Sequence, residues 1–107
     1  MTEKEIMQEI QIEVSALGGR VFRNQTGKYK VGDRWISSGL CVGSSDLIGW
    51  YPLRGYAVFL AIEVKTATGD VKDIQNHFIG KVIGAGGIAF VARSADEARQ
   101  KLLLFDK

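Results

Sequence analysis

The chain of 107 residues is 46% hydrophobic and 24% charged, the balance of one ordinary globular domain, with enough residues for a core and too few for two. Its net charge of +2 and sequence pI near 8.8 permit a polyanionic partner without requiring one. Cys41 is the only cysteine, which excludes an internal disulfide and a cysteine-built zinc site and suits a reducing compartment. There is no signal-peptide pattern, and no apolar run approaches the ~18 residues that span a bilayer. A cytosolic protein without a membrane partner is expected.

Thr2-Glu3-Lys4-Glu5 has the form of a capping box. Ile6, Met7, Ile10, Val14 and Leu17 then recur at helical spacing until Gly18-Gly19. An amphipathic first helix is predicted. Glu3 lies one turn before its apolar stripe, either reaching inward or standing as a solvated carboxylate at the positive helix end. A short strand follows at Arg20 to Asn24. From Gly27 to Ser45 the chain reads as a long glycine-bearing loop, with Lys28, Lys30 and Arg34 interleaved with Tyr29 and Trp35 and Arg23 at its mouth. Such a composition suits phosphates and bases; a solvated excursion that touches nothing is the alternative.

Ser44 to Tyr51, with Asp46 near its start, is the second strand, which Pro52 is expected to end before a turn over Leu53 to Tyr56. The third strand, Val58 to Lys65, is the centre of the sheet. Alternation sets Val58, Leu60, Ile62 and Val64 on one face and Phe59, Ala61, Glu63 and Lys65 on the other. Both faces are apolar until Glu63, as in a strand covered by helices on both sides. After a turn at Thr66 to Gly69, Asp70 and Asp73 resemble a cap for a helix whose stripe is Val71, Ile74, Phe78, Val82 and Ile83. Gln75 flanks the stripe near the Lys65 end. His77 reads as a surface residue. Ile88 to Ala92 is a strand expected to run parallel to the central one, and Ser94-Ala95-Asp96-Glu97 caps a last helix with Ala98, Leu102 and Phe105 facing inward. One domain over residues 1–107 is expected, an α/β fold with a small mixed sheet flanked by helices and an αβββαβ core.

A hairpin of this length brings Asp46 beside Glu63 and Lys65. Two converging carboxylates make a hard oxygen site for Mg²⁺ or Mn²⁺, to which the Val64 carbonyl can add a ligand. Lys65, on the face of Glu63, can then stabilise charge on a phosphoryl group or its attacking water. Without a metal, Lys65 is only an ion-pair partner for Glu63.

Asp46 followed by Glu63-Val64-Lys65 resembles the PD-(D/E)xK nuclease signature, with Ser45 in place of its proline. More narrowly, Thr2-Glu3, Gly19, Arg23-Asn24, Gly27, Gly43 to Gly49, Ala61 to Lys65, Gly69, Gln75 and Gly86-Gly87 resemble a stand-alone VRR-NUC domain, the virus-type replication-repair nuclease family. The resemblance implies a restriction-endonuclease-like fold and a metal-dependent endonuclease acting on DNA. By analogy Asp46 and Glu63 bind Mg²⁺ or Mn²⁺, Lys65 handles the attacking water, and Gln75 supports the site. Glu3, or less favourably Glu9, completes it from the first helix. Small members of this kind are expected to act as homodimers on branched DNA such as four-way junctions, in a bacterial or phage-infected cytosol. A non-catalytic DNA-binding module and a nuclease of linear duplex stand as alternatives.

Overall fold

A computed structural model describes residues 1–105. The elements run α1 (Glu3–Ala16), β1 (Arg20–Arg23), β2 (Gly27–Val31), β3 (Arg34–Ser38), β4 (Leu47–Leu53), β5 (Tyr56–Val64), α2 (Asp73–Gly84), β6 (Ile88–Ala92) and α3 (Ala95–Leu103). The expected capping box opens α1: the Glu5 N–H donates to Thr2 Oγ1 at 3.2 Å, and Glu5 Oε1 accepts the Thr2 N–H at 2.9 Å. Its predicted stripe is buried at Ile6, Met7, Ile10 and Val14.

The main sheet has the order β1-β4-β5-β6, antiparallel except for the parallel pair β5-β6, whose connection carries α2. The register places Leu47, Ile62 and Phe90 in one row and, two positions along on the same face, Gly49, Leu60 and Ile88 in another. Leu47, Leu60, Ile62, Val64, Ile88 and Ala92 join Ile6, Ile10 and Val14 of α1 and Ala98 and Leu102 of α3 in one core. Burying such side chains contributes about 1.5–3 kcal/mol each for the larger ones. Gly49 lets β1 approach β4, since a Cβ there would run into the Arg20 carbonyl.

The opposite face is covered by α2 over β5 and β6, while Phe22, Trp50 and Phe59 stay exposed beside it. Phe22 and Trp50 make a tilted aromatic pair with ring centroids 5.8 Å apart. None of the α2 stripe is fully buried, and Ile74 and Ile83 are exposed.

Four expectations change. The predicted loop from Gly27 to Ser45 contains a two-stranded hairpin, β2-β3, closed at Val31↔Arg34 around Gly32-Asp33. Gly32 has a φ of 61°, which glycine adopts without the penalty a Cβ brings. Pro52 does not end its strand: it stays in β4, paired with Ala57 of β5, at a position past the stretch that β1 covers, since β1 begins at Arg20 opposite Trp50. Its missing N–H therefore removes no bond from the β1 ladder. Helix α2 starts at Asp73 behind Lys72, and the acceptor at its first turn is the Gln75 side chain rather than Asp70. Phe105 lies past the end of α3 and is exposed. Among the described residues no helix is long and apolar enough to cross a membrane.

Candidate active site

Strand β5 carries the site at its own C-terminal end, beside the start of the antiparallel β4, where apolar residues give way to Glu63 and Lys65. Both are buried, at 2% and 8% exposure, in a position where an ionised group is costly unless it is paired. Asp46 enters from the residue before β4. With Leu47 opposite Ile62, it falls next to Glu63 on the α2 face of the sheet. Asp46 Oδ2 accepts the Val64 N–H at 2.9 Å, fixing one carboxylate oxygen against the strand that holds the other acid.

Lys65 Nζ lies 3.6 Å from Glu63 Oε2, and Gln75 Nε2 donates to the same oxygen at 3.1 Å. Gln75 is held in turn, because its Oε1 accepts the Lys72 N–H at 2.9 Å. The site thus gathers Asp46, just before β4, Glu63 and Lys65 at the end of β5, and Gln75 from the first turn of α2. Burial pushes the Glu63 carboxyl up to about 8, reinforced by contact with Asp46 and by its charge, and the Lys65 ammonium only partly opposes this. Two carboxylates crowded together in a dry place repel each other, and a cation between them removes that repulsion.

A divalent metal fits these residues. Glu63 Oε1 is buried with no hydrogen-bond partner, and with the Asp46 carboxyl beside it the available donors are hard oxygens of the type that Mg²⁺ and Mn²⁺ take. The protein would supply few ligands, and Mg²⁺ keeps several waters in any case. Glu3 and Glu9 are exposed, and among the described residues no group of three histidine, cysteine, aspartate or glutamate side chains forms a metal site. The structure does not bring a third acid from α1 to the pair.

Arg23 joins Met7, Asn24, Gln25, Thr26 and Asp46 around a polar cleft of about 240 Å³. Lys28 lines an adjoining groove that shares Thr26; Lys30 lies farther along β2 and is exposed. A second role was hidden in the sequence. Asn24 donates through Nδ2 to Ser44 Oγ and to the Ser45 carbonyl, each at 2.8 Å, and its Oδ1 accepts the Leu40 N–H at 3.0 Å. Its own N–H donates to the Asp46 carbonyl at 2.7 Å. One side chain therefore ties both roots of the hairpin to the backbone that presents Asp46. On the other side, Arg93 Nη1 donates to the carbonyls of Thr66 and Gly69, each at 2.7 Å, bracing the turn after Lys65.

The model of the VRR-NUC domain family matches residues 29–96, a span that contains Asp46, Glu63, Lys65 and Gln75. The chain belongs to the VRR-NUC family. This VRR-NUC chain also resembles a solved structure described as a VRR_NUC domain protein, with a TM-score of 0.63 and 18% identity over 98% of this chain and 88% of the other. That likeness is one of fold, and it includes the mixed sheet flanked by helices. No curated protein matches the chain. Family membership makes it a nuclease-type DNA-processing domain, with divalent-metal dependence as the family's general habit.

Proposed function

We propose that this VRR-NUC domain is an endonuclease that uses Mg²⁺ or Mn²⁺ to hydrolyse DNA phosphodiesters. The observation that carries this is the buried, unpartnered Glu63 Oε1 beside the Asp46 carboxyl, with the Lys65 ammonium on the same acid. Asp46 and Glu63 would hold the metal, with the Val64 carbonyl as a further candidate. Bound there, the ion supplies positive charge to the phosphoryl oxygens and makes water more acidic.

The chain's own residues do the rest. Gln75 holds Glu63 in one rotamer through a hydrogen bond anchored on the start of α2. The Val64 N–H fixes Asp46. Lys65, compact and strongly charged, orients the attacking water and stabilises the charge that grows on the phosphoryl oxygens. Arg23 at the mouth of the cleft, with Lys28 and Lys30 beyond it, holds the phosphate backbone.

The preferred substrate is branched DNA, such as a four-way junction, cut by a homodimer. Two symmetric incisions need two sites, and this domain has one. The exposed Phe22, Trp50 and Phe59 beside α2 favour a second copy, because contiguous apolar surface is unusual on a monomer. The test is cleavage of matched four-way, flap and linear duplex DNA with and without Mn²⁺, alongside Asp46→Ala. Metal-dependent cutting that Asp46→Ala abolishes, fastest on the junction, is expected. Equal rates on all three would make it a nuclease of duplex in general, and binding without cutting would make it a DNA-binding module.

A further inference from the structure

The hairpin β2-β3 carries side chains that chemistry at Asp46, Glu63 and Lys65 does not use. Every residue of both strands is exposed. A two-stranded ribbon without a covering layer is marginal on its own, and this one presents Trp35 at 69% exposure and Tyr29 at 51%. Large aromatic surfaces left in water at the end of a projecting element mark a place for a partner.

The register divides them. Lys28 pairs with Ser37 and Lys30 with Trp35, so Lys28, Lys30 and Trp35 share one face. Tyr29 pairs with Ile36 and Val31 with Arg34, so Tyr29 and Arg34 share the other. Each face thus joins an aromatic ring to a cation, and Lys30 stands directly across from Trp35, where Cβ atoms lie about 4.5–5.5 Å apart. Three cations against Asp33 give the hairpin a net +2, equal to the charge of the whole chain. The rest of the domain is balanced, and the basic excess resides on this arm.

We infer that the hairpin is a stacking arm for unpaired nucleotides, with Trp35 taking a base face while Lys28 and Lys30 take the flanking phosphates. Cations alone would suit any DNA. A ring needs a base face, and a duplex exposes one only at an end, a gap or a branch. The roots of the arm lie at the active site: Ser38 Oγ donates to the Gln25 carbonyl at 3.2 Å, and Asn24, just before β2, binds both Leu40, just after β3, and the Asp46 backbone. A strand held on the arm leads into the cleft lined by Arg23 and Asp46. The choice of DNA as the occupant rests on the nuclease reading; the preference for unpaired bases rests on the arm.

The test is fluorescence anisotropy in EDTA with labelled oligothymidine, forked duplex and blunt hairpin-capped duplex. Trp35→Ala should weaken oligothymidine and fork binding about tenfold, with less than a twofold change on the capped duplex, and Trp35→Phe should restore most of the loss. The Lys28→Gln, Lys30→Gln double variant should weaken all three and lower the salt slope by about 1.5. Equal loss on every DNA with Trp35→Ala, no loss on any, or altered self-association by sedimentation would overturn the inference, the last by making the arm a protein interface. Failure to cut DNA with Mn²⁺ strikes the nuclease reading alone, since binding is read without metal.

Discussion

Gln75 Nε2 donates to Glu63 Oε2 at 3.1 Å while the other end of the same carboxamide accepts the Lys72 N–H at 2.9 Å. One side chain therefore starts α2 and orients a buried acid, so the helix and the site are positioned together. Gln75→Ala should cost about 1 kcal/mol of stability through the lost cap. It should also cost 10- to 100-fold in cleavage, the scale on which groups that orient metal ligands act. A metal titration of the cleavage rate, alongside thermal melts, separates the two: the half-saturating Mn²⁺ concentration rises if Gln75 orients Glu63. A variant that melts lower but saturates with Mn²⁺ unchanged would confine Gln75 to capping.

Lys65→Ala is expected to lower cleavage by at least about 10²-fold, the scale for removing one donor aimed at developing charge. DNA affinity should stay within about threefold, because Lys65 is buried beside Glu63 rather than on the basic surface. Single-turnover kinetics and an anisotropy titration measure the two quantities. Loss of both in a folded variant would make Lys65 a binding residue.

The centre of the fold was legible because burial writes itself into alternation. Val58 to Val64 could only be an inner strand, and the hairpin spacing placed Asp46 beside Glu63. The arm was harder to read. Its strands face water on both sides, so no apolar period marks them, and the available signal was Gly32-Asp33 as a two-residue turn. Pro52 reads as a strand end because the sequence does not show that β1 begins only at Arg20, opposite Trp50, and leaves that edge of β4 free at Pro52. The role of Asn24 has no local signature. Its partners are backbone groups and a hydroxyl some twenty positions on, and no local pattern announces such bonds.

Glu63 links stability to pH. Its folded pKa is raised from the ordinary 4.5 to about 8, so in metal-free protein its contribution to stability is full below about 4.5 and is lost as pH rises toward 8. Within that window each pH unit costs up to about 1.4 kcal/mol, because the unfolded carboxyl ionises freely and the folded one does not. Melting temperature in EDTA should fall from pH 5 to pH 8 more steeply for the native chain than for Glu63→Gln. Millimolar Mg²⁺ should flatten the native profile by accepting the ionised acid. Parallel profiles for the two proteins would show that Glu63 ionises without penalty.

Asn24 makes the last case, since it acts at a distance from the chemistry. Replacing it with alanine leaves the buried Ser45 carbonyl without its side-chain partner, at a cost of about 1–3 kcal/mol, and gives up the hold on the exposed Leu40 N–H, which water can take over. The backbone bond from Asn24 to Asp46 survives the substitution, so β4 should keep its place while the two roots of the arm loosen. Asn24→Ala should therefore fold, melt lower and cut more slowly, with protease sensitivity gained between residues 25 and 43. Asn24→Asp should be worse than alanine, because it turns a donor facing a carbonyl into an acceptor and adds a negative charge near Asp46. Limited proteolysis and a metal titration of cleavage on both variants check this order, and an aspartate variant as active as the native chain would remove Asn24 from any part in presenting Asp46.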